Sequence, residues 1–273
     1  MKASQSHIKT NCIRWLTAGL LAIVSFSLQA DIVGSKHDLG TGGAGQSAGG
    51  TGEVCVFCHT PHGSDTSNEI PLWNKTLPGI GNYTRYSSLN TVSLDGTELP
   101  IGSVSLACLS CHDGTQAMDV VINAPGRGMG SGSITGGPPA MLAAGTPVPM
   151  LGLDLRDDHP ISIQYAGGGC LSTDADGPCP QALGDPDFNA PQLATINSTK
   201  VWWVDSAVGA SGVREKTDMA LYNRLESGKR QPTVECGSCH DPHNEGTGTA
   251  SDSVSFLRVV NTDSRICITC HNK

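Results

Sequence analysis

Four copies of one five-residue pattern run through the chain: Cys55-Val-Phe-Cys58-His59, Cys108-Leu-Ser-Cys111-His112, Cys236-Gly-Ser-Cys239-His240 and Cys267-Ile-Thr-Cys270-His271. C-x-x-C-H is the covalent attachment site of c-type haem. Two thiols one helical turn apart can add to the two vinyl groups on one porphyrin edge, and the adjacent imidazole is then held under the iron. Zinc also uses paired C-x-x-C knuckles, but zinc leaves the histidine that follows each pair without a role in at least some copies. The pattern therefore predicts four covalently bound haems c, with these eight cysteines as thioether donors and His59, His112, His240 and His271 as proximal iron ligands.

Four histidines then remain outside residues 1–30: His37, His62, His159 and His243. Four irons with two imidazoles each need four more ligands, so these are the expected distal set. His62 and His243 stand three residues after a proximal histidine, in "CHTPH" and "CHDPH". A proline between them restricts the backbone, and so short a tether cannot pass around a porphyrin edge. Each must cap a haem other than its neighbour's, which brings two rings close together. Chain order suggests the haem of Cys108 and Cys111 for His62, and that of Cys267 and Cys270 for His243.

The elements that must position these groups are thinly provided. Hydrophobic residues make up 38% of the 273-residue chain and aromatics 4%, against 34 Gly and 16 Pro. A packed side-chain core is hard to build from that. Haem discs would supply the missing apolar mass, and the chain without them is expected to be largely unstructured.

Residues 1–30 read as an export signal: Lys2, Lys9 and Arg14 precede an apolar run from Trp15 to Leu28, with "SLQA" before the expected cleavage. The run is short for a membrane span, and none is expected after its removal. Its loss leaves 14 Lys plus Arg against 25 Asp plus Glu, a formal charge of −11. So acidic a surface repels nucleic acid and anionic lipid. The expected location is extracellular or the cell surface, with the periplasm as the alternative.

The expected fold class is mostly irregular coil with a few short α-helices and minimal β, the chain wrapped around a row of haems. Residues 31–273 form a single tetrahaem domain, with halves at 31–123 and 156–273 joined by a Gly/Pro-rich linker. Each half carries a lone histidine (His37, His159), a doubled motif and a single one, the order a duplication leaves. A helix is predicted over Thr217 to Ser227, with Leu221 and Leu225 on one face and Gly228 as its stop. Short helices should carry the haem motifs, especially Ser264 to His271. Strands are expected around Val201 to Val204 and Val254 to Arg258, and loops at 40–52 and 124–140.

"SKHDLG", "CVFCHTPHG", "DDHPIS", "CGSCHDPHN" and "SFLRVV…CITCHNK" together resemble the doubled-C-x-x-C-H multihaem cytochromes c. The haem count, export signal and glycine-rich N-terminal stretch are most similar to the tetrahaem extracellular cytochromes that polymerise into conductive filaments. The resemblance covers about half the chain and leaves out 124–155 and 165–215. It implies electron transfer, with other cytochromes as redox partners and self-association as a head-to-tail polymer.

The ligand count agrees, because four six-coordinate irons leave no open position and bis-imidazole ligation favours low potentials. A monomeric shuttle and a reductase with one open iron are the alternatives. His37 lies six residues past the expected cleavage, on a tether to Cys55 that spans up to about 55 Å. It is the expected donor to a neighbouring subunit's haem. Cys170 and Cys179, the two cysteines left over, are expected to form a disulfide. Asp174 and Asp176 lack the EF-hand spacing that calcium would require, and Trp202 and Trp203 are expected to pack beside haem.

Overall fold

The computed structural model describes residues 32–43, 48–126, 132–143, 150–168, 185–206, 211–226, 229–244 and 256–272. The expected export signal, the expected Cys170–Cys179 disulfide and the Asp174/Asp176 stretch lie outside them. Residues 31–273 form one compact unit.

The expectation of minimal β is overturned. A five-stranded antiparallel sheet has the order β3-β7-β6-β5-β4, built from β3 (Ile163–Gln164), β4 (Gln192–Ile196), β5 (Thr199–Val204), β6 (Met219–Glu226) and β7 (Lys229–Val234). A two-stranded ladder pairs β1 (Val120–Val121) with β2 (Gly132–Ser133). Among the described residues the α-helices are α1 (Ser103–His112), α2 (Cys236–Cys239) and α3 (Arg265–Cys270). Strand and helix thus have comparable shares.

The physical reason lies in β5. Val201, Trp202, Trp203 and Val204 are β-branched or aromatic, the types that suit a pleated, covered surface. Trp202, Trp203 and Val204 are buried. Trp202 stands opposite Leu193 on β4 and opposite Leu221 on β6. That cross-strand pairing also overturns the helix predicted at Thr217 to Ser227, which is strand β6: Leu221 is buried but Leu225 is 66% exposed. The expected strand at Val254 to Arg258 is corrected too. Its first two residues lie outside the described set, and Leu257 makes only an isolated bridge with His240.

Three small apolar clusters form in place of one large core. One gathers Tyr165, Trp202, Val204, Met219 and Leu221, with Cys239 and Cys270 packed on its margin. A second gathers Phe57, Met118, Val121 and Ile134, with Cys58 and Cys111 on its margin. The third, with Tyr83, Ile101, Leu106, Leu109 and Leu155, supports helix α1. Four attachment cysteines therefore edge the side-chain clusters, consistent with a core completed by an apolar group at those edges.

Glu235 joins the sheet to the helices. Buried at 1% exposure, its carboxylate accepts from Ser105 Oγ on α1, from Ser162 Oγ at 2.8 Å and from Arg224 Nη1 at 2.8 Å. It also caps α2 reciprocally with Ser238. Gly102 lies against this group, where a Cβ would collide with both Arg224 and Glu235.

Candidate functional site

Three of the four C-x-x-C-H units share one local construction. After a single helical turn the histidine N–H donates back to the first cysteine carbonyl: His59 to Cys55 at 2.8 Å, His240 to Cys236 at 3.1 Å and His271 to Cys267 at 2.9 Å. The histidine then leaves the helix and bridges to a distant residue, Trp73, Leu257 or Phe188 respectively. The residue after each partner donates its N–H to the second cysteine carbonyl: Asn74 to Cys58 at 2.9 Å, Arg258 to Cys239 at 2.8 Å and Asn189 to Cys270 at 2.8 Å. The main chain of both cysteines and of the histidine is thus fixed by backbone bonds. The remaining unit is different: α1 runs through Cys108 and Cys111 to His112.

The units are adjacent in chain order. Cys58 and Cys111 edge the same apolar cluster, α1 packs on α2, and Cys239 and Cys270 edge another cluster. All eight cysteines are unbridged. Burial, reinforced by Cys111, pushes the Cys58 thiol up to about 12. Burial, reinforced by Cys239, does the same for Cys270, and Cys239 rises to about 11 by burial and Cys236. A mutual hydrogen bond raises Cys108 and holds Cys236 down.

The histidine rings carry the most informative geometry. His59 and His243 have ring centres 6.1 Å apart and planes 17° from parallel. His37 and His112 have centres 6.2 Å apart and planes at 70°. A metal–imidazole bond of about 2.0 Å, with the ring centre about 1.1 Å further out, puts two imidazoles on opposite faces of one ion about 6 Å apart. Both pairs have that separation. His159 is close enough to His271 to help hold it below the ordinary histidine range, although loss of solvent contributes most. His240 is lowered likewise, by loss of solvent first and by His112 and Arg258 next. Both shifts favour the neutral imidazole that a metal requires.

The outer nitrogens fit the same purpose. His59 Nδ1 donates to the Pro71 carbonyl at 2.8 Å, His159 Nδ1 to Pro160 at 3.0 Å and His37 Nδ1 to Pro242 at 3.3 Å. His243 Nδ1 lies 3.7 Å from the Asp241 carboxylate. Each contact engages Nδ1, the outer-shell arrangement typical of metal-bound histidine. The Trp73 indole, edge-on to His59 at 5.8 Å, has a buried N–H with no acceptor among the described residues. No group of three or more His, Cys, Asp or Glu is gathered for a metal ion among the described residues. Haem needs no such cluster, since the porphyrin supplies four donors and the protein one imidazole on each face. The residues present fit haem.

The chain-order pairings are not the ones the rings adopt: His243 faces His59, and His37 faces His112. The His37 ring is stacked at 4.0 Å on Phe256 of its own chain. His62 is exposed, its carbonyl held by Thr60 Oγ1 and Asn123 Nδ2 at 3.0 and 2.9 Å, and its ring touches no other ring among the described residues. Sequence reading missed Trp73, Phe188 and Leu257, the bridge partners. Among the described residues no helix is long and apolar enough to cross a membrane. Comparison with protein-family models and with curated proteins finds no match.

Proposed function

We propose that the chain is an electron-transfer c-type cytochrome with four covalent haems, and that the opposed His59 and His243 rings are the axial ligands of one iron. Their separation of 6.1 Å carries the reading, because that spacing suits two imidazoles on opposite faces of one metal. When bound, haem supplies one-electron chemistry with no atom transferred to a substrate. The chain's own residues do the rest. The cysteine pairs fix each ring edge, the Nδ1 contacts orient the imidazoles, and adjacent motifs keep successive sites close. His112 with His37, and His271 with His159, are the further pairs this reading uses.

The test is haem content and ligation. Produced in a host that matures c-type cytochromes, the protein should give four haems per chain by pyridine haemochrome assay, with low-spin spectra. A chain that carries zinc or no haem at all overturns the reading.

A second reading concerns assembly and rests on His62. The accounting leaves His240 without a paired ring and His62 with an exposed one. We assign His62 to the haem on His240 of a second copy, and His37, seated against His112, to its own chain. The contact is head-to-tail, so it propagates as a filament unless the rotation closes a ring. It also marks where a reductase would keep its open iron. Carbon monoxide bound at one haem in four by the assembled protein, or filaments that persist in His62→Ala, would defeat this assignment.

A further inference from the structure

Lys75 is 1% exposed and makes no ion pair among the described residues. Its Nζ donates to three main-chain carbonyls: Ala117 at 2.8 Å, Val120 at 2.7 Å and Met118 at 3.4 Å. Three acceptors match the three N–H bonds of an ammonium group, whereas a neutral amine has two and would turn a lone pair on a carbonyl. Asp119 is the carboxylate that acts on Lys75, but it makes no contact ion pair with it, its oxygens being occupied by Ser133 Oγ, Thr135 Oγ1 and the Ala140 N–H. A buried charge without a counter-ion is expensive, and a well-packed apolar side chain of similar volume would serve stability as well or better.

The position of this charge is specific. Met118, whose carbonyl Lys75 holds, is buried in the apolar cluster that Cys58 and Cys111 edge. Asn74 clamps the same place: its side chain donates to Val56 at 2.7 Å and to Asn123 at 3.1 Å, and accepts from the Asn123 N–H at 2.8 Å. Lys75 and Asn74 therefore tie the segment after the second C-x-x-C-H unit to the first unit. Thioethers attach at the porphyrin edge opposite the propionates, so a cation beside these cysteines is kept away from the propionates that would neutralise it.

We propose that Lys75 is a fixed buried cation that raises the reduction potential of the two haems attached at Cys55/Cys58 and Cys108/Cys111 relative to the two at the C-terminal motifs. The proposal rests on the haem reading above. Each reduction adds one electron, and a nearby positive charge stabilises the reduced state. A unit charge within about 10 Å at an effective dielectric near 20 changes such an equilibrium by roughly tenfold. The electron row thereby acquires a downhill direction, toward its N-terminal pair.

The experiment is spectroelectrochemical titration of the haem-loaded protein, wild-type against Lys75→Met and Lys75→Arg. In Lys75→Met, two of the four one-electron waves should move to lower potential, with the reduced-to-oxidised ratio at fixed potential falling about tenfold, or about 59 mV. Lys75→Arg, which keeps the charge, should leave the waves near wild-type. Lys75→Gln, which keeps an amide donor for the carbonyls, replaces Lys75→Met if that variant does not fold. Four unmoved waves, or a uniform shift of all four, with low-spin spectra intact, overturn the proposal but not the haem reading. A wild-type chain without haem overturns both.

Discussion

His59 and His243 face one another at 6.1 Å with their planes 17° apart, each brought there by a different half of the chain. His59 is fixed by its bridge to Trp73 and its Nδ1 contact with Pro71. His243 is turned by Asp241, which Arg258 also approaches, at 3.5 Å.

His243→Ala should therefore affect one haem in four. The haem on Cys55 and Cys58 should become five-coordinate and high-spin, and reduced protein should bind one carbon monoxide per chain, read from the Soret band. Four low-spin haems and no carbon monoxide binding would show that another residue caps that iron.

The two opposed pairs differ in angle, 17° for His59 with His243 and 70° for His37 with His112. Parallel imidazole planes split the iron d orbitals strongly, whereas perpendicular planes leave two of them nearly degenerate. Electron paramagnetic resonance of the oxidised protein should show both a rhombic low-spin signal and a highly anisotropic one. His37→Ala should remove the anisotropic signal and spare the rhombic one.

Glu235→Gln leaves the Arg224 guanidinium facing a neutral amide and weakens the bonds from Ser105 and Ser162. Breaking one side of a buried charged network costs about 3 kcal/mol. The urea midpoint should fall by about 1 M or more with the slope unchanged, while haem content stays at wild-type level. A midpoint within error of wild-type would show that Glu235 does not hold α1, α2 and β6 together.

Burial alone pushes the Asp119 carboxyl up, but the bonds from Ser133, Ala140 and Thr135 together outweigh it and hold the group below its usual range. A depressed folded value means that the unfolded chain binds the proton first. This contribution to stability is therefore present above about pH 4 and is lost as pH falls through the folded value. Asp119→Asn should flatten the acid side of the stability curve. The check is thermal unfolding of both proteins from pH 3 to pH 7, where the difference between them should shrink toward the acid end.

The four C-x-x-C-H units were legible as a repeated pattern because each packs into five adjacent residues. The sheet was not. Leu221 and Leu225 have helical spacing, and only the distant Trp202 opposite Leu221 selects the strand. Gly228, read as the stop of that helix, lies outside the described residues, and the paired Glu226 and Lys229 on either side of it belong to adjacent strands. The three bridge partners share no sequence pattern: Trp73-Asn74 and Leu257-Arg258 follow their motifs, whereas Phe188-Asn189 precedes its own by a long segment. The pairing of histidines was out of reach for the same reason, since it depends on which segments meet. The short helix expected around Ser264 to His271 is present as α3, Arg265–Cys270, because its cause is local.

His37 is held from the far end of the sequence, by Pro242 at a separation of 205 residues and by Phe256. Together with His243 beside His59, this makes the placement of His37 and His59 dependent on segments far downstream in the chain. On the haem reading proposed above, the first cysteine pair to be made would meet haem while its second imidazole is still to be translated. Loop closure over so long a span is slow, which leaves an interval in which that iron has a free face. On that reading the first site to be loaded stays open on one face until His243 has been made and has folded back.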